Sequence, residues 1–82
     1  MTDDADREGI DELLSEMIDQ QRSRVLEVAS GLDPRLTLDD ILSPQDFEVL
    51  VGDPRFNYED GQLAGLLSAQ IAVRARFRRS AK

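Results

Sequence analysis

The sequence contains no cysteine and no histidine among its 82 residues. Without cysteine the chain has no disulfide framework and no thiolate nucleophile, which suits a cytoplasmic setting. Without histidine it lacks the commonest general base and the commonest transition-metal ligand. Catalytic mechanisms that pair serine or cysteine with histidine are therefore excluded, and we expect a non-enzymatic protein that needs no metal or other cofactor.

Long apolar runs are missing as well. The first residues are acidic, whereas a secretory signal peptide starts with basic residues that an apolar stretch follows. The charge-free segment Gly61–Val73 is rich in glycine and alanine, and it is shorter than the roughly 20 apolar residues that cross a bilayer. We therefore expect a cytoplasmic protein without a membrane partner.

The small size of the chain limits its organisation to one domain. A chain of this length buries only about 60% of its extended surface, so it needs tight packing or self-association to be stable. We divide it into a flexible acidic N-terminus over residues 1–8, a single helical domain over 9–79 and a C-terminal tail over 80–82.

Charge is distributed unevenly along the chain. The 17 acidic and 10 basic residues leave a net charge of −7, yet no acidic residue follows Asp60. The candidate anion-binding residues of the basic end are Arg74, Arg76, Arg78 and Arg79. Arginines clustered around an aromatic residue, here Phe77, are typical of sites that hold phosphates and stack on a base. Because the chain as a whole is acidic, we favour a helix end that the acidic N-terminus neutralises, and we do not expect nucleic acid as a partner.

The first half of the chain predicts a helix over residues 9–30. Its apolar residues recur at steps of three and four along one seam: Leu14, Ile18, Val25, Val28 and Leu32, with Ile10 and Met17 at its margin. Gln21 is the polar residue of this seam, and such residues more often set register and oligomeric state than bind a ligand. We expect Gly31 to end the helix in a left-handed conformation, with Leu32 folding back onto it.

The middle of the chain predicts a short helical turn near 38–42 and a helix over 44–51. Thr37 and Ser43 are expected to cap these segments, since each is a hydroxyl residue with an acid three positions later. In the second segment Phe47, Leu50 and Val51 are expected to face the core.

The last part predicts a helix over 58–79 that Asn57 caps and that has two apolar faces. The large face is formed by Leu63, Leu66, Leu67, Ile71, Val73 and Phe77. The small face is formed by Gly61, Gly65, Ser68, Ala69 and Ala72. Because neither face is charged, we expect both to contact protein.

These elements predict an all-α protein, a long antiparallel helical hairpin with a short helix in its connection. The antiparallel direction brings the acidic N-terminus beside the basic C-terminal end. The small face then predicts a packing interface with a second copy, which completes a homodimeric four-helix bundle. In the alternative, the chain is a three-helix monomer whose short middle helix covers the small face.

The carboxylates of Glu12, Glu16 and Asp19 share one face of the first helix at a spacing comparable to that of Mg²⁺-dependent hydrolases. They lie opposite the apolar seam, so we interpret them as a solvent-facing surface. The function that we expect is that of a non-enzymatic interaction and assembly module, which binds a second copy of itself or an unidentified protein. The alternative is a regulator that binds an anionic ligand or nucleic acid through the arginine-rich end.

Overall fold

Two long helices, connected by short helical segments, pack side by side in opposite directions. The computed structural model of the protein describes residues 3–80. Within this range there is no strand, and the elements are α1 (Asp3–Leu32), α2 (Leu38–Ile41), a 3-10 turn (Pro44–Asp46), α3 (Glu48–Val51) and α4 (Pro54–Ser80). The hairpin measures 49 × 19 × 17 Å. The predicted all-α hairpin is therefore confirmed.

Helix α1 begins earlier than predicted. Residues 3–8 already belong to it, whereas Met1 and Thr2 lie outside the described residues. The acidic residues at this end suit a helix N-terminus, because they interact favourably with the positive end of the helix dipole. The N-terminal segment 1–8 was expected to be separate from the helical domain. From Asp3 onward it is instead part of the longest helix.

Helix α1 also ends in a way that differs from the prediction. Gly31 lies within α1, and no glycine of the described chain has a positive φ. The prediction that Gly31 ends the helix in a left-handed conformation is therefore wrong. The helix stops instead before Pro34, because a proline disfavours the helical conformation in the residue that precedes it. That residue, Asp33, accepts a hydrogen bond from the backbone N–H of Arg35 at 3.0 Å, which closes the turn.

The connection is helical only in short pieces. Thr37 caps α2 as predicted: its Oγ1 accepts a hydrogen bond from the N–H of Asp40 at 3.3 Å, and the carboxylate of Asp40 accepts one from the N–H of Thr37 at 2.9 Å. Ser43 makes no side-chain capping bond within the described chain. The predicted helix over 44–51 is divided at Phe47, whose extended backbone turns its ring against the core.

Helix α4 starts at Pro54, and the prediction that Asn57 caps it is wrong. Asp53 is the N-cap, because its Oδ1 accepts a hydrogen bond from the N–H of Phe56 at 2.8 Å. Proline at the first helical position suits this arrangement, since its φ is already helical and no N–H is needed there. Asn57 lies inside the first turns, and its side-chain amide donates to the carbonyl of Val51 at 2.9 Å.

The apolar core occupies the closed end of the hairpin, where the connection packs against both long helices. Its buried members are Ile18, Val25, Val28, Ala29, Leu36, Ile41, Leu50, Phe56 and Leu63. Leu50 and Phe56 are completely buried, whereas Val51 is 52% exposed and does not face the core as predicted. Ile71 is 67% exposed, so its assignment to the large apolar face of α4 is also wrong.

The small face of α4 is open in the described chain. Its residues Gly61, Gly65, Ser68, Ala69 and Ala72 are all exposed. A three-helix monomer in which the middle helix covers this face is therefore not what the chain forms. The short connection packs near the turn and leaves the outer surface of α4 uncovered.

Candidate functional site

Polar side chains cross the seam between the two long helices. The Nε2 of Gln21, a residue only 5% exposed, donates to the carbonyl oxygen of Glu59 at 2.9 Å and to its Oε1 at 2.7 Å. Further along, the Nε2 of the buried Gln70 donates to Oγ of Ser15 at 3.0 Å. Hydrogen bonds need a defined distance and angle, so these bonds form in only one register of α1 along α4. This is the geometry expected of residues that set the register.

The open end of the seam is joined by an ion pair. Nε and Nη2 of Arg74 donate to Oδ1 and Oδ2 of Asp11 at 2.7 and 3.1 Å. This bidentate hydrogen bond lowers the pKa of Asp11 and raises that of Arg74, because it favours the charged form of each group. The acidic start of α1 therefore lies beside the basic end of α4, as the charge pattern predicted.

Of the candidate anion-binding residues, Arg74 is thus held by a carboxylate of the same chain. Arg76, Arg78 and Arg79 are exposed near the end of α4. The guanidinium of Arg7 lies over the ring of the half-buried Phe77, with 5.4 Å between its carbon and the ring centroid. The ring that was a candidate for base stacking is therefore in contact with a cation of its own chain.

A depression with a volume of about 420 Å³ lies at this end of the hairpin. Its lining includes Arg7, Glu8, Asp11, Glu12, Arg74, Phe77 and Arg78. Its lining contains both acidic and basic groups, so it does not present the uniformly positive surface that is typical of anion and nucleic-acid sites.

A second bidentate ion pair lies in the connection. Nε and Nη2 of Arg35 donate to the two carboxylate oxygens of Asp33, each at 3.0 Å. The bond lowers the pKa of Asp33 and raises that of Arg35 for the same reason as at the open end. It stabilises the turn after α1 and involves no other element.

The carboxylates on the outer face of α1 do not converge. Glu12, Glu16 and Asp19 are all exposed, and Asp19 lies 3.9 Å from a guanidinium nitrogen of Arg22. Among residues 3–80 there is no group of three or more acidic side chains that could hold a metal ion. The outer face of α1 is accordingly a charged surface of an amphipathic helix.

No protein-family model, curated protein or solved structure matches this chain. Over the described residues, neither long helix has the length of apolar sequence that a membrane crossing would need. What the chain does must therefore be inferred from its own surfaces.

The open half of the hairpin carries apolar side chains that the described chain covers only partly or leaves exposed. Over residues 6–17 and 71–79, no described side chain is fully buried. Yet this half contains Ile10, Leu13, Leu14, Met17, Ile71, Val73 and Phe77. Leu13 is 57% exposed and Met17 41%, so the pair of helices here lacks the third layer that the connection provides at the closed end.

Sequence reasoning identified Gln21 but missed its counterpart Gln70. Gln70 lies seven residues after Leu63 and seven before Phe77, and this heptad spacing on the core-facing side was the available signal. Ser15 was missed as the partner of Gln70 across the seam, because this contact depends on how α1 and α4 are aligned. That alignment is a tertiary property.

Proposed function

We propose that this chain is a small non-enzymatic interaction and assembly module, which pairs with a second copy of itself through the surfaces of its long helices. The observation that carries the proposal is the open half of the hairpin, which has apolar side chains but no buried apolar core. Two helices alone bury only one side of each other. A second hairpin would supply the missing layer and form a homodimeric four-helix bundle.

The charge-free segment Gly61–Val73 supports the same proposal. Its small outer residues are exposed, and a Cβ added at Gly61 or Gly65 would have no described atom within 4 Å beyond the neighbouring residues and backbone of its own helix. A solvent-facing helix surface usually carries charged side chains, whereas helix surfaces that contact other helices closely use small residues. A cytoplasmic setting, expected from the composition, remains part of the proposal.

The first test is the mass of the protein in solution. We expect multi-angle light scattering to give the mass of a dimer across the micromolar range, and the melting temperature to rise with protein concentration, because association stabilises only the folded state. A monomeric mass together with a melting temperature independent of concentration would exclude the proposal.

A matched pair of substitutions then connects the dimer to the surface of α4. Ala69→Leu adds bulk to the small face, and Ala64→Leu makes the same change on another exposed side of the same helix. Both residues favour helix, so the monomer should fold in either case. We expect Ala69→Leu to weaken the dimer and Ala64→Leu to leave it intact.

A second candidate function is the binding of an anionic ligand or nucleic acid through the arginine-rich end. The observation in its favour is the exposure of Arg76, Arg78 and Arg79 on one helix end. It ranks below assembly because Glu8, Asp11 and Glu12 line the same depression as the neighbouring arginines. No cofactor is part of either proposal.

Replacing Arg76, Arg78 and Arg79 by glutamine separates the two functions. If the arginines only complement the acidic N-terminus, the variant should melt at a slightly lower temperature, and salt should reduce the difference. Fluorescence polarisation with mixed DNA and RNA should then detect no binding. Micromolar binding by the wild-type protein that withstands moderate salt, and that the variant loses, would establish the second function instead.

A further inference from the structure

The side of the open half that the second copy covers is determined by which apolar residues lie together. Ile10 of α1 lines a shallow depression with Ala72, Val73, Arg76 and Phe77 of α4. Leu13 and Met17 follow Ile10 at helical spacing, and Ala69 precedes Val73 by four residues, so they continue the same side of their helices. We name this surface the apolar face; it consists of Ile10, Leu13, Met17, Ala69, Ala72 and Val73.

In the open half, the opposite side of the hairpin is much more charged. There, the open half has a depression that is lined by Glu8, Asp11, Glu12, Arg74 and Arg78 among others. Around the depression on the apolar face, Arg76 alone is charged among the described residues. Removing charges from water without pairing them is costly, so the apolar face is the side that association buries most favourably.

We infer that a second copy of this chain packs on the apolar face, with the two-fold axis parallel to the long axis of the hairpin. The inference rests on the proposed assembly function and specifies its geometry. An axis in this direction places α1 against α4 of the partner. A two-fold axis perpendicular to the helices would instead place α1 against the α1 of the partner, and α4 against the α4 of the partner.

The sizes of the side chains favour the parallel axis. On the apolar face, α1 presents the large residues Ile10, Leu13 and Met17, whereas α4 presents the small residues Ala69 and Ala72 beside the medium-sized Val73. Packing α1 on α4 of the partner puts large side chains onto small ones, which allows the two layers to interdigitate. The perpendicular axis would place large side chains of α1 against the same large side chains of the partner, and small side chains of α4 against small ones. Such an interface would combine steric clashes with cavities.

Charge favours the same arrangement. The first turns of α1 carry Asp6, Glu8 and Glu12, and the last turns of α4 carry arginines. The parallel axis keeps all four open ends together, so each acidic helix start lies next to the basic helix end of the other copy. The whole side of the hairpin that carries the apolar face measures 49 by 19 Å, or roughly 900 Å², so a second copy that also covers the closed half can reach the ~800 Å² per partner of a standard interface.

The polar contacts across the seam show which residues would meet. Asp11 is paired with Arg74, and Ser15 with Gln70. Because the helices are antiparallel, each step forward along α1 corresponds to one step back along α4 at the same height. Continued by two residues beyond Ser15, this register places Met17 at the height of Ser68 and Ala69. A two-fold axis along the hairpin preserves height, and Met17 of one copy therefore faces Ala69 of the other.

Disulfide trapping tests this contact, because the chain has no cysteine of its own. Met17→Cys is mixed with a size-tagged Ala69→Cys and oxidised in air, so that every cross-link joins two copies. We expect the mixed 17–69 disulfide to be the main product, since a disulfide needs Cα atoms within about 7 Å. Replacing the second variant by Ile71→Cys, whose position is exposed on a different side of α4, should abolish the mixed product.

A pair of charged substitutions provides an independent measurement. Leu13→Asp and Ile71→Asp change residues that are 57% and 67% exposed, so neither should unfold the hairpin, which circular dichroism can verify. We expect Leu13→Asp to weaken dimerisation by roughly a hundredfold or more, because it buries an unpaired charge, and Ile71→Asp to leave it unchanged.

The outcomes separate the inference from the function on which it rests. A monomeric wild-type protein would overturn both. A dimer that Ile71→Asp disrupts and Leu13→Asp does not, or one that yields mainly 17–17 and 69–69 disulfides, would overturn the inferred face or axis and leave the assembly function standing.

Discussion

Gln21 provides the sharpest test of how the hairpin is aligned. Its side chain is buried in an otherwise apolar seam, and it donates hydrogen bonds to the carbonyl and carboxylate oxygens of Glu59. Gln21→Ala removes these bonds and leaves a space where the side chain was. A hydrogen bond to a charged group contributes about 1.5–3 kcal/mol, and each buried methylene contributes about 0.8 kcal/mol. We therefore expect the free energy of unfolding to fall by about 2–4 kcal/mol.

Gln21→Leu distinguishes the lost hydrogen bonds from the lost volume. Leucine is close to glutamine in size and suits an apolar seam, so the space is filled. Glu59 is only half-buried, and water can replace the hydrogen bond to its carboxylate. We expect this variant to lose less than about 1 kcal/mol, which would identify Gln21 as a residue that specifies the alignment more than it stabilises the fold.

Urea denaturation at one fixed protein concentration is the appropriate assay, because the proposed dimer would make stability depend on protein concentration. In thermal melts, the loss in Gln21→Ala corresponds to at least about 8 °C for a domain of this size. Gln20→Ala is the matched control, since Gln20 is the neighbouring glutamine and is exposed. It should change stability by less than about 0.5 kcal/mol.

A double-mutant cycle with Glu59→Ala tests the contact itself. If the hydrogen bonds are as described, the two substitutions should be non-additive by about 1 kcal/mol or more. Additive effects, or a cost of Gln21→Ala no larger than that of Gln20→Ala, would refute the role of this contact in holding α1 against α4.

Further predictions concern the ion pair, the caps and the glycines. Asp11→Asn should lower the melting temperature at neutral pH. The pKa of Asp11 is lowered in the folded state, so the stabilisation by the pair is complete above the unfolded-state pKa of about 4, and it is lost as the pH falls below that value and through the folded-state pKa. Thr37→Ala should cost about 1 kcal/mol because it removes a cap, whereas Ser43→Ala should cost less, since Ser43 makes no capping bond within the described chain. Gly9→Ala should stabilise the protein by about 0.5–1 kcal/mol, because the added Cβ has no described atom within 4 Å beyond the neighbouring residues and backbone of its own helix; calorimetry that finds destabilisation would contradict this.

The positions of the long helices could be predicted because helix periodicity is local information. The seam of α1 and the leucines of α4 recur at helical spacing, and this holds whatever the helices pack against. The limits of the helices were less accessible. Asp53 and Asn57 are both residue types that cap helices. Asp53 is the one that caps α4, because Pro54 after it suits the first helical position.

Helical periodicity also predicted more buried residues than the core contains. Ile71 and Val51 have the composition of buried residues, and helical spacing groups them with the apolar side, yet both are more than half exposed. The periodicity of a helix gives the direction of each side chain around its axis. It does not say how wide a strip the neighbouring helix covers, and in a two-helix layer that strip is narrow.

The sequence by itself determined the class of the fold, the antiparallel direction and the exclusion of histidine- and cysteine-based catalysis, because these follow from composition, periodicity and the sign of charge along the chain. The tertiary structure alone decided that Gln70 and Ser15 meet, that the core is confined to the closed end, and that the small face of α4 is uncovered. Each of these depends on the relative height and rotation of α1 and α4. Those two quantities result from packing over the whole seam, and no local stretch of sequence encodes them.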